Sequence, residues 1–249
     1  MPRGPLTLGA LLLAGVLAGQ QANAAIALDR TRAIFNGADK SLSLSVSNQN
    51  KELPYLAQAW IEDANGNKIE SPLTALPPLQ RIEPGAKSQV KIQATGGQNL
   101  LAQDKETLFY FNLREIPPKA NKPNTLQIAL QTRIKLFYRP KAIAITREGQ
   151  ANPYQQKLTL TRQGDRYVVN NPSPYFVTLA GARSHQKGDT VAGFTPVMVP
   201  PKGNATLGGS AKALGDAPVL TYINDYGGRP TLTFGCAGTT CTVKSSTAG

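Results

Sequence analysis

The chain reads as all-β, arranged as two successive β-sandwich domains. Three observations predict this. Apolar residues recur at every second position in stretch after stretch, as in Ser41-Leu-Ser-Leu-Ser-Val-Ser47, and that is the period of a strand rather than a helix. Turn signals separate the stretches: Asn36-Gly37, Asn65-Gly66, Pro77-Pro78 and Glu83-Pro-Gly85. The pattern then restarts after Tyr138-Arg-Pro140, which sets a boundary between Pro140 and Asn152.

The first 24 residues read as a leader. Arg3 precedes an apolar run from Leu6 to Ala18, and Ala22-Asn23-Ala24 supplies the small-x-small cleavage pattern. The run is shorter than the roughly 20 residues that a spanning helix needs. Cleavage after Ala24 takes 24 residues from a chain of 249 and leaves 225. That length suits a first domain over 25–147 and a second over 148–249. It also places the protein in an oxidising compartment outside the cytoplasm, with no inserted membrane segment.

The net charge of +12 falls to +11 with Arg3 removed. No helix carries a basic face, and an exported protein does not normally meet nucleic acid, so the charge points to carboxylate-bearing partners.

In the first domain, strands are expected at Ser41–Ser47, at Tyr55–Ile61 with Trp60 as a core anchor, at Lys87–Ala94 with Val90 and Ile92, and at Phe109–Leu113. The long stretch Asn124–Arg139 alternates through Leu126, Ile128, Leu130, Ile134 and Leu136, then ends in Arg133, Lys135 and Arg139. A long strand with an apolar ladder and a cation beside it can pair with another extended chain and hold that chain's terminal carboxylate. In the second domain, strands are expected near Leu158–Leu160, Tyr167–Val169, Tyr175–Leu179, Pro196–Val199, Val219–Ile223 and Thr231–Phe234. Pro200–Pro218, rich in Gly and Ala, reads as a mobile surface connection. The Ser/Thr-rich tail after Lys244 reads as low complexity.

Cys236 and Cys241 are five apart, and in an oxidising compartment they read first as a disulfide closing a hairpin end. So short a loop contributes roughly 2 kcal/mol by chain entropy. A metal site is not expected: His185 is the only histidine and lies far from them in sequence.

Six short runs, in order, carry a resemblance: Leu28-Asp-Arg-Thr-Arg32, Leu53–Trp60, Phe109–Pro118, Leu126–Pro140, Asn171-Pro-Ser-Pro-Tyr175 and Tyr222–Pro230. Together they resemble the periplasmic pilus chaperones of the PapD type, close to the P-pilus type, over nearly all of the mature chain. Arg183–Asp216 matches little.

The resemblance implies two immunoglobulin-like domains set as an L around a cleft. It places a carboxylate anchor on Arg32 and Lys135, and a donated strand on Asn124, Leu126, Ile128 and Leu130. It places an interdomain ion network on Glu106, Arg139 and Asp225. The short loop between Arg114 and Asn124 resembles the class that assembles rod-like adhesive pili. The implied partners are pilin subunits and an outer-membrane usher, with no cofactor. A second copy of the free chain is a further partner left open. A pilin is a sandwich lacking its last strand, and the chaperone would complete it by lending its own.

Taken alone, the residues leave other readings. Leu126, Ile128 and Leu130 suit the core of their own domain on periodicity alone. Arg32, Lys135, Glu106, Arg139 and Asp225 suit a solvated surface. A carboxylate-pair glycosidase would need acids in a recognisable setting, and the 15 Asp and Glu residues supply none. A sugar-binding sandwich would cluster exposed aromatics, whereas here they sit at strand positions.

Overall fold

A computed structural model describes residues 24–120 and 124–248. The expected leader lies outside the described residues except for Ala24. The first domain contains β1 (Ile26–Leu28), β2 (Arg32–Asn36), β3 (Ser41–Asn48), β4 (Tyr55–Glu62), β5 (Lys68–Ile69), β6 (Leu73–Leu76), β7 (Leu79–Ile82), β8 (Lys87–Ala94), β9 (Thr107–Ile116) and β10 (Gln131–Arg139). One sheet has the order β1-β3-β8-β6. The other runs β2-β10-β9-β4-β5, with β7 also paired to β4. All pairings are antiparallel except β2 with β10, which run parallel. Residues alternate between the core and the outer face. Leu44, Val46, Ala57, Ala59, Ile61, Val90, Ile92, Phe111, Leu113 and Leu136 fill the space between the sheets.

Trp60 is not part of that core. Its neighbours Ala59 and Ile61 point inward, so the two-residue period turns Trp60 to the outer face. There its indole N–H donates to Glu62 at 3.0 Å, and Arg114 stacks on the ring at 5.5 Å. Trp60 is large and apolar, but the small side chains beside it are what the sheet buries.

A short helix, α1 (Arg147–Ala151), lies in the connection between the domains. The second domain holds β11 (Thr159–Gln163), β12 (Arg166–Asn171), β13 (Val177–Arg183), β14 (Val197–Val199), β15 (Gly203–Thr206), the helical turn α2 (Ala211–Leu214), β16 (Val219–Ile223), β17 (Thr231–Ala237) and β18 (Thr240–Thr247). These strands form one ladder in the order β14-β13-β16-β17-β18-β11-β12-β15. Its two ends, β14 and β15, approach each other, so the ladder folds over into two layers around a single core.

One expectation for this domain is overturned. Pro200–Pro218 is not a mobile connection: β15 pairs with β12, and Leu207, Ala211 and Leu214 are buried in the core. The low-complexity tail after Lys244 is held in a strand, because β18 runs to Thr247 and pairs with β17. Cys236 and Cys241 face each other across that hairpin and form the disulfide.

Candidate functional site

The parallel pairing of β2 with β10 is the local feature that builds the site. It puts Arg32 directly beside Lys135. Both lie on the outer face, because Ala33, Leu136 and Ile134 take the inner one. Arg32 is buried and Lys135 half-buried, since the second domain closes over them. Arg32 donates to the Ile223 carbonyl at 3.0 Å, and Lys135 donates to the Thr178 hydroxyl at 3.3 Å. Thr178 and Ile223 are themselves paired across β13 and β16. Four backbone strands from two domains thus meet at two cations.

Neither cation has a carboxylate partner among the described residues. The Arg32 Nε is buried with no hydrogen-bond partner. Burial pulls the Arg32 guanidinium below its ordinary value, against the attraction of Tyr154, Asp225 and Glu106. Burial, then the nearby Arg32 charge, pulls the Lys135 ammonium down as well. Two adjacent, partly desolvated cations with an unused donor form a ready site for an anion.

Four residues along the same face of β10, Arg139 is arranged the opposite way. Its Nε donates to Glu106 at 2.9 Å and its Nη1 to Asp225 at 2.8 Å. Glu106 also accepts the Phe176 backbone N–H at 2.8 Å, while its own N–H donates to the Pro174 carbonyl at 2.9 Å. Tyr175 lies over the Arg139 guanidinium at 4.9 Å, and Phe137 and Phe176 pack with centroids 5.5 Å apart. Burial disfavours the Arg139 charge, but Glu106 and Asp225 outweigh it and hold Arg139 above its ordinary value. Burial pushes the Glu106 carboxyl up to about 7, against the pull of Arg139 and the Phe176 N–H. This arrangement differs from the pair beside it because the charge of its cation is already answered by two carboxylates from across the chain.

Asn124–Leu130 departs from the sequence reading. It is not part of β10, which begins at Gln131. The last contact with β9 is the Glu115 N–H donating to the Leu130 carbonyl at 3.0 Å. Asn124 takes a left-handed conformation at φ 57°, and the chain leaves the ladder between these two points. The physical reason is that no neighbouring strand covers the segment. Leu126 is 84% exposed and Ile128 65% exposed, and Leu130 is half-buried. The apolar ladder is therefore present but serves neither sheet of its own domain.

The residues picked out from sequence thus fall into three groups. Arg32 and Lys135 are adjacent; Glu106 and Asp225 are both bonded to Arg139; and Asn124, Leu126 and Ile128 are exposed on one segment that runs into β10. Sequence reasoning missed Thr178, the Ile223 carbonyl and Tyr154, whose hydroxyl lies 3.5 Å from Asp225. Backbone carbonyls and a lone threonine carry no sequence signal. Among the described residues no cluster of His, Cys, Asp and Glu could hold a metal ion, and no helix is long and apolar enough to cross a membrane.

Comparison with known proteins gives a consistent result. Residues 25–144 match the family described as "Pili and flagellar-assembly chaperone, PapD N-terminal domain", and residues 153–234 match "Pili assembly chaperone PapD, C-terminal domain". The chaperone protein PapD of Escherichia coli is 52% identical over 224 residues, covering 90% of this chain and 91% of that protein. The probable fimbrial chaperone YfcS of Escherichia coli (strain K12) is 51% identical over 240 residues, covering 96% and 93%. Among solved structures, the periplasmic chaperone SfaE superposes with a TM-score of 0.65 at 30% identity, covering 90% of this chain and 98% of that one. The structure of Salmonella enterica SafA pilin in complex with the SafB chaperone gives 0.67 at 29% identity, covering 84% and 94%.

Proposed function

The chain belongs to the PapD family of pilus-assembly chaperones, and we propose that it works in the periplasm by completing pilin subunits with its own Asn124–Leu130 segment. Leu126, Ile128 and Leu130 enter the open core of the subunit, while the backbone of the segment continues its sheet. The terminal carboxylate of the subunit sits between Arg32 and Lys135, and the completed subunit passes to an outer-membrane usher. No covalent step is involved. The solved chaperone–pilin complex of SafB with SafA supports a pilin as the partner.

The observation that carries this reading is the pair of register-matched cations without a carboxylate, one of them at the middle of the strand that an exposed apolar segment leads into. The spacing gives each part a task. Burying an aliphatic side chain contributes roughly 1.5–3 kcal/mol before ordering costs, and there are three such side chains. A charge-assisted hydrogen bond contributes about 1.5–3 kcal/mol. The segment therefore supplies most of the affinity. The cations fix the register, since a slip of one residue would turn the apolar face away.

Co-purification of a pilin from the periplasm tests the whole reading. Arg32→Ala and Lys135→Ala should each abolish recovery of the complex with the chaperone still folded. Ile128→Glu should do the same by placing a charge in the pilin core. If subunits remain protected from proteolysis by both cation variants, the anchor is elsewhere; normal piliation with Ile128→Glu would discard the donated face.

A further inference from the structure

Glu115 is a buried carboxylate that the anchor and the interdomain joint leave unused. Alternation along β9 turns it to the core side with Leu113 and Phe111, and it is 5% exposed. Among the described residues it pairs with no lysine or arginine. Its Oε2 accepts the Ile26 backbone N–H at 2.9 Å. Its own backbone N–H makes the last bond to Leu130, at the point where the donated segment leaves the sheet.

Ile26 is the second residue of a chain cut after Ala24. The Ala25 nitrogen lies within roughly 3.6 Å of the Ile26 nitrogen by backbone geometry. Ala25 is tethered in turn, because its carbonyl accepts the Gln49 N–H at 2.6 Å and Ile26 is sealed in the core.

We propose that the α-ammonium group created on Ala25 by leader removal is the counter-ion of the Glu115 carboxylate, and that this pair secures the base of the 124–130 segment. Hydrolysis of the Ala24–Ala25 peptide bond consumes one water. The carboxylate stays on Ala24, and the Ala25 nitrogen becomes an amine that takes up a proton at neutral pH. The uncut chain offers only a neutral amide at that position, so Glu115 has no such cation there. Export and processing thereby finish the end of the sheet from which the segment emerges. The link to capture rests on the donor-strand reading above; the pairing of Ala25 with Glu115 does not.

Four forms of the full mature protein test the pairing: chains beginning at Ala25 or carrying two added neutral residues before it, each with and without Glu115→Gln. The addition should lower the thermal midpoint by a few degrees, on the scale of roughly 2–4 °C per kcal/mol for a chain this long. It should lower it by less than half as much alongside Glu115→Gln. Equal drops in both backgrounds overturn the pairing, as does an exported chain whose mass shows it not to begin at Ala25. Should Glu115→Gln fail to fold, an NMR titration of the Ala25 amine in the unsubstituted chain decides. A pKa above the ordinary value of about 7.7–8.0 supports the pair, and an ordinary value overturns it. None of these readings involves a pilin, so failure of the donor-strand reading would leave them unaffected.

Discussion

Lys135 and Arg139 project from the same face of the same strand, four residues apart, and they have opposite surroundings. Arg139 is buried against two carboxylates and stitched to the second domain. Lys135 has a hydroxyl and another cation for neighbours. The contrast separates holding from waiting. A cation whose charge is answered inside the chain fixes geometry, and one whose charge is left unanswered at a cost is available to something that arrives later.

That contrast can be broken at either end. Arg139→Ala should have the largest effect on folding. It leaves Glu106 buried without its cation, at a cost of roughly 3–5 kcal/mol by chemical denaturation. If the loss were negligible, the joint would be decoration. At the waiting end, Arg32→Ala should weaken binding of a pilin C-terminal peptide by roughly thirtyfold or more, corresponding to 2–5 kcal/mol, and Lys135→Ala should do likewise. Lys135→Met should leave stability unchanged or raise it, because the free protein carries that charge unfavourably. Calorimetric titration and denaturation measured on the same variants give both numbers.

A pH series sharpens the same distinction. The folded value of Lys135 lies below its unfolded value of 10.5 because of burial and Arg32. Between the two, the unfolded chain binds the extra proton, so stability of the free protein should rise with pH across that window. Affinity for a carboxylate should fall across it, since the ammonium is being lost. Affinity that stays flat up to 10.5 would show that Lys135 is not part of the anchor. The smallest effect on binding belongs to the disulfide. Cys236→Ser with Cys241→Ser should cost about 2 kcal/mol or less, confined to the second domain, with peptide binding unchanged.

What the sequence made legible follows from how local each signal is. Strand period identified β3, β8 and β16 within a residue or so, because alternation depends only on near neighbours. The disulfide was legible for the same reason. The adjacency of Arg32 and Lys135 was reachable only through family resemblance, because parallel pairing of distant strands leaves no trace in spacing. Trp60 misled because hydrophobicity outranked phase: Ala57 and Ala59 already committed the inner face. Asn124–Leu130 kept the strand period without joining a strand, since period reports which face is apolar and not whether a neighbour is present to cover it. Leu207, Ala211 and Leu214 were hidden because single apolar residues among glycines give no period at all.

The parallel seam between the second strand and the tenth also imposes an order of events. Arg32 is translated early and Lys135 only as the first domain nears its end, so neither can form the pocket alone. On the anchor proposed above, a copy whose tenth strand has not docked beside the second would have no working grip, so only a folded molecule could take a client.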